Sequence, residues 1–68
     1  MSAGRSNLID VPDCFVVHFT PDAVKINYGD GECWLPKSAC QLDPEDADVG
    51  DEVTVTLPEP LAIEKGMI

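Results

Sequence analysis

Positive charge is scarce in this chain: four Lys or Arg and one His stand against thirteen Asp or Glu in 68 residues, for a formal net charge of -9. Binding to phosphates needs Lys and Arg to release counterions, so direct nucleic-acid binding is not expected. Long apolar runs are missing as well. None approaches the roughly 20 residues that cross a bilayer, and acids at Asp10 and Asp13 interrupt the opening too early for a signal-peptide core. A membrane role is therefore not expected, and the expected location is cytoplasmic. The three cysteines, Cys14, Cys33 and Cys40, are an odd number and cannot all pair within one chain. They read as thiols in a reducing compartment.

Catalytic and metal-binding patterns are equally thin. A zinc site built on the cysteines would need a fourth ligand such as His18, and no close Cys-x-x-Cys pair is present. The run Asp43 to Asp51 has carboxylates enough to suggest a calcium loop, but Ala47 fails the ligand spacing and Pro44 stiffens the start. His18 with Asp22, or Cys33 as a nucleophile, lacks a recognisable catalytic context; a buried strand histidine and a core cysteine are the simpler readings. No cofactor, no metal and no enzymatic activity are expected.

What is there describes a small β domain. Hydrophobic residues make up 44% of the chain and fall in short clusters, which favours folding. A chain of this size buries only about 60% of the surface its unfolded form exposes, so the core is thin. Residues 1–10 read as a flexible lead and 11–68 as one domain, mainly β: a small antiparallel sheet or partly open barrel with a short C-terminal helix. Cys14 to Phe19 reads as a strand, apolar on both faces. From Ala23, the residues Val24, Ile26 and Tyr28 alternate with Lys25 and Asn27, as in a strand with one face wet. Glu32 to Leu35 and Glu52 to Leu57 complete the strands. Lys37 to Leu42 suits either a helical turn or a short strand, and Asp43 to Asp51 reads as a loop. Leu61 to Lys65 reads as a helix capped by Gly66 and packed on the sheet edge.

Asp30-Gly31 is the strongest local signal, because tight hairpins need positive φ in the loop. A two-residue Asp30-Gly31 loop places Tyr28 opposite Cys33, Ile26 opposite Leu35, and Trp34 beside Asn27 on the outer face. A three-residue Gly29 to Gly31 loop turns Trp34 inward with Ile26. Trp34 thus reads either as core or as an exposed anchor for a partner.

The run Glu32-Cys33-Trp34-Leu35-Pro36-Lys37-Ser38, the strand Glu52 to Leu57 and the ending Pro58-Glu59-Pro60-Leu61-Ala62-Ile63-Glu64-Lys65-Gly66 resemble small acidic phage and prophage proteins. Those carry a Trp-aliphatic-Pro-Lys-Ser segment and a Pro-x-Trp-Leu-Ala-x-x-Lys-Gly-like tail; here Pro60 stands where an aromatic is usual. The resemblance spans residues 24–66. It implies a phage-associated compact β domain, in the range of anti-CRISPR proteins and similar phage inhibitors.

Six acids, Asp43, Glu45, Asp46, Asp48, Asp51 and Glu52, fall within ten positions that contain no base. Such a density steers positively charged partners toward it. With Trp34 they form the candidate partner-binding set. The leading expectation is an inhibitor that presents carboxylates, in place of phosphates, to a basic nucleic-acid-binding protein or complex. The second is an accessory protein-binding module of phage replication or recombination that acts through an exposed sheet face or as a homodimer. A loop kept acidic for solubility is the simplest alternative for any single acid.

Overall fold

A computed structural model of the chain describes residues 7–68. The protein is mainly β: an antiparallel sheet of β1 (Leu8–Phe19), β2 (Ala23–Asn27), β3 (Glu32–Pro36), β4 (Gln41–Asp43) and β5 (Glu52–Pro58), followed by a short helix, α1 (Glu59–Glu64). The strand order is β3-β2-β1-β5-β4. Between β3 and β4, residues Lys37–Ala39 form a 3-10 turn. Both readings of Lys37 to Leu42 are therefore realised in succession, a turn and then a short strand.

The central strand is longer than its sequence suggests. Leu8, Ile9 and Asp10, assigned to a flexible lead, pair with Pro58, Leu57 and Thr56. The expected lead at residues 1–6 lies outside the described residues. Pro12-Asp13 precedes the strand expected from Cys14. In the fold it is absorbed by a register shift between Val11 and Cys14, with Asp13 at φ 61. Such a bulge tolerates a residue lacking an N–H and bends the strand without ending it. A second shift falls between Val16 and His18.

These two bends are demanded by the connection that follows. Pro36 pairs with Ala23, beyond the end of β1, whereas Gln41 pairs with Thr56, which pairs with Asp10 near its start. In a flat, straight sheet the two would be about 30 Å apart along the strands and about 19 Å across them. The four residues that link them reach about 19 Å when fully extended. Only a sheet coiled sharply about β1 satisfies both constraints, so its two edges approach one another as in a partly open barrel.

The inner face holds the core: Val11, Cys14, Val16, Val24, Ile26, Leu35, Val53, Val55 and Leu57, joined by Ala47 from the loop and by Ala62 and Met67 from the tail. The β2–β3 hairpin pairs Ile26 with Cys33, Val24 with Leu35 and Lys25 with Trp34, while Tyr28 N–H donates to the Gly31 carbonyl at 3.0 Å. The loop is thus Gly29-Asp30, and this corrects both expected registers. Gly29 takes φ 104 and its N–H donates to Asn27 Oδ1 at 2.9 Å. Glycine in the first loop position decides the turn, not the Asp-Gly step after it. The correction moves the pairing by two residues from the two-residue alternative, so the faces survive: Cys33 and Leu35 face inward and Trp34 outward.

Helix α1 packs against β5, an interior strand, rather than a sheet edge. It ends in a Schellman arrangement, with Met67 N–H donating to the Ala62 carbonyl at 2.9 Å and Gly66 N–H to that of Ile63 at 3.1 Å. Gly66 sits at φ 80, and a Cβ there would lie 3.4 Å from the Tyr28 hydroxyl oxygen. Gly66→Ala is therefore expected to cost about 1 kcal/mol, lowering Tm by about 4 to 8 °C in a thermal melt. An unchanged Tm would contradict the left-handed cap.

Candidate functional site: an acidic loop and an outward aromatic face

All six acids of the cluster are exposed: Asp43 in β4, Glu45, Asp46, Asp48 and Asp51 in the loop, and Glu52 at the start of β5. The loop that carries them is tied down. Gly50 N–H donates to the Val16 carbonyl at 2.8 Å and Val16 N–H to that of Asp51 at 3.1 Å, so the loop's end lies against β1. The Asp51 carboxylate accepts the Asp48 N–H at 2.9 Å, and the Asp48 carboxylate accepts the Val49 N–H at 2.9 Å. Burial of Ala47 anchors the middle. The loop backbone is thus held against β1, and within it the Asp48 and Asp51 carboxylates are themselves tied to backbone N–H groups.

Neutralising groups are few. Among the described residues one ion pair forms, Lys25 Nζ to Glu32 Oε1 at 3.3 Å, and none involves the six acids. Asp10 is used differently, accepting a hydrogen bond from the Thr56 hydroxyl at 2.6 Å. No group of three or more His, Cys, Asp or Glu among the described residues is arranged to hold a metal ion.

Trp34 lies on the outer face, 41% exposed, with the Lys25 ammonium 6.0 Å from its ring centroid and the His18 ring edge-on at 6.0 Å. His18 is exposed, not the buried strand histidine expected, because the Val16/His18 shift sets it outward opposite Lys25. The acids and Trp34 belong to different parts of the molecule: the acids gather where β4 and β5 meet the loop, while Trp34 sits on edge strand β3. Phe15, 45% exposed, lies between them on β1, paired with Glu52 on one side and Asn27 on the other. Sequence reasoning missed it by reading Cys14 to Phe19 as largely apolar on both faces, which marks neither as the outer one. Alternation sets Phe15 on the face opposite Cys14 and Val16, and the burial of those two leaves it outward.

The thiols are quiet. Burial pushes Cys14 up from 9.0 to about 11, with Cys33 and Asp13 adding to the effect. Cys33 is raised by burial, against the opposing pull of Lys65, and Cys40 is raised by burial and by Cys33. Thiolate, the reactive form, is disfavoured at all three. A raised thiol pKa stabilises the fold fully below the unfolded value near 9, and this contribution fades as pH rises toward about 11. Stability is expected to fall across that window by about 1 to 3 kcal/mol. Cys14→Ala should flatten the decline in a series of thermal melts; an equally steep decline in that variant would refute the assignment.

No helix of the described residues is long and apolar enough to cross a membrane. Compared with protein-family models, curated proteins and solved structures, the chain matches none of them.

Proposed function

We propose that this protein is a non-enzymatic inhibitor that binds a basic nucleic-acid-binding protein or complex, such as a CRISPR surveillance complex, through its acidic surface. The observation that carries this reading is the exposed set Asp43, Glu45, Asp46, Asp48, Asp51 and Glu52 around a loop tied to β1, none of it in an ion pair with a described residue. Carboxylates held on a scaffold can meet Arg and Lys already arranged for phosphates, in charge-assisted hydrogen bonds that are roughly twice as strong as neutral ones. The test is competition: a complex captured from host extract should release the protein when duplex DNA is added. The protein alone should not bind that DNA. A captured partner without a nucleic-acid surface would end this reading.

A second reading, an accessory protein-binding module, is favoured by the outward Trp34 on edge strand β3. It requires Trp34→Ala to abolish partner capture while the acids are dispensable. Self-association is opposed by the formal charge of -9 on each copy.

A further inference from the structure

Two of the aromatic rings on this sheet already carry a cation of the same chain. Lys25 Nζ stands 6.0 Å from the Trp34 centroid and 3.3 Å from Glu32 Oε1, between a ring and a carboxylate. Lys37 Nζ stands 5.1 Å from the Phe19 centroid. Tyr28 is covered differently, its hydroxyl reaching the Lys65 carbonyl at 3.5 Å. Phe15 differs from all three: 45% exposed, it has no cation over its ring among the described residues.

Its surroundings repeat the Lys25 arrangement without the lysine. Glu52 is its direct cross-strand neighbour on β5, and Asn27 and then Glu32 continue the same row across β2 and β3. Side chains paired in this way have Cβ atoms about 5 Å apart, so a group lying on the Phe15 ring is within reach of the Glu52 carboxylate. The hydrogen bonds of Gly50 and Asp51 to Val16 bring the acidic loop against the residue next to Phe15, making one continuous surface.

We propose that Phe15 and Glu52 form an anchor for an arginine side chain of a cationic partner. The guanidinium stacks flat on the ring while its N–H fork meets the carboxylate, a combination that an ammonium cannot reproduce. Charge complementarity selects this occupant: at a formal net charge of -9, a second copy and a nucleic acid are both repelled. The inference rests on the reading of a cationic partner and adds the point of attachment.

The probe is a capped octapeptide alternating Arg and Ala, titrated at low salt into the full chain and followed by amide chemical shifts. Its citrulline counterpart, equal in shape but neutral, is the control. The largest shifts are expected at Phe15, Asn27 and Glu52, with no binding of the citrulline peptide. Phe15→Leu should weaken affinity about two- to fivefold, the range of an exposed cation–π contact. Phe15→Tyr, which keeps the ring, should retain it. A thermal melt of each variant verifies the fold. Shifts confined to residues 43–51, with indifference to Phe15→Leu, would overturn the anchor and leave the acidic-surface reading standing. No response to the arginine peptide anywhere would remove both. Binding of the citrulline peptide, or of oligothymidine at Phe15, would overturn the anchor.

Discussion

Leu35→Ala is expected to lower Tm by about 8 to 40 °C. Leu35 is fully buried and stands opposite Val24 across the hairpin, in a core of few large side chains. Truncating a buried leucine removes its transfer free energy and leaves a cavity, at a typical cost of about 2 to 5 kcal/mol. For a domain of this size each kcal/mol moves Tm by about 4 to 8 °C. The neighbouring Trp34→Ala serves as the internal reference. Trp34 points to the other side of β3, and its loss should cost about 1 kcal/mol, mostly from its contacts with Lys25 and His18. Equal shifts in the two variants, or a larger one for Trp34→Ala, would mean that β3 presents the opposite face to the core.

Neutralising the loop should have the largest effect on association. Asp43→Asn, Glu45→Gln, Asp46→Asn, Asp48→Asn and Asp51→Asn together remove five negative charges from a chain of formal net charge -9. Electrostatic steering raises encounter rates by about 10 to 1,000-fold, so partner association at low salt should slow by at least about tenfold. The gap should narrow near physiological ionic strength, where exposed charges more than about 8 Å apart are screened. Folding is expected to survive, because Asn at 48 and 51 keeps the side-chain oxygens that accept the Val49 and Asp48 N–H groups. Stopped-flow association at two salt concentrations measures both effects. Rates indifferent to all five substitutions would remove the acidic surface from the interface.

How much of this was legible beforehand depended on how local the cause was. The alternation of Val24 and Ile26 and of Val53, Val55 and Leu57 revealed their strands, because a half-buried strand prints its period directly. Gly66 ended the helix where a left-handed residue was needed. Failures clustered where tertiary pairing overrode a local sign. Pro12-Asp13 breaks a pattern but not a strand when a bulge absorbs it, and Leu8 to Asp10 gain their reason to be extended only from β5. At the hairpin, two glycines flank Asp30, and nothing local tells which takes positive φ. The acids of the candidate site were visible as a run. Phe15 was not, since its exposure depends on which of two apolar faces the rest of the molecule leaves bare.

The pairing of β1 with β5 also governs the order in which this chain can fold. Leu8 meets Pro58 and Ile9 meets Leu57, so the first half of β1 has no partner until almost the whole chain is available. The β2–β3 hairpin closes a short loop and pairs with the second half of β1, a nucleus made of neighbours in sequence. The expected transition state therefore has the three-strand meander formed ahead of the β1–β5 pairing, which closes the longest loop. Topologies dominated by such distant pairing fold in milliseconds to seconds, not microseconds. Mutations in β5 should therefore speed unfolding more than they slow folding, while those in the hairpin do the reverse.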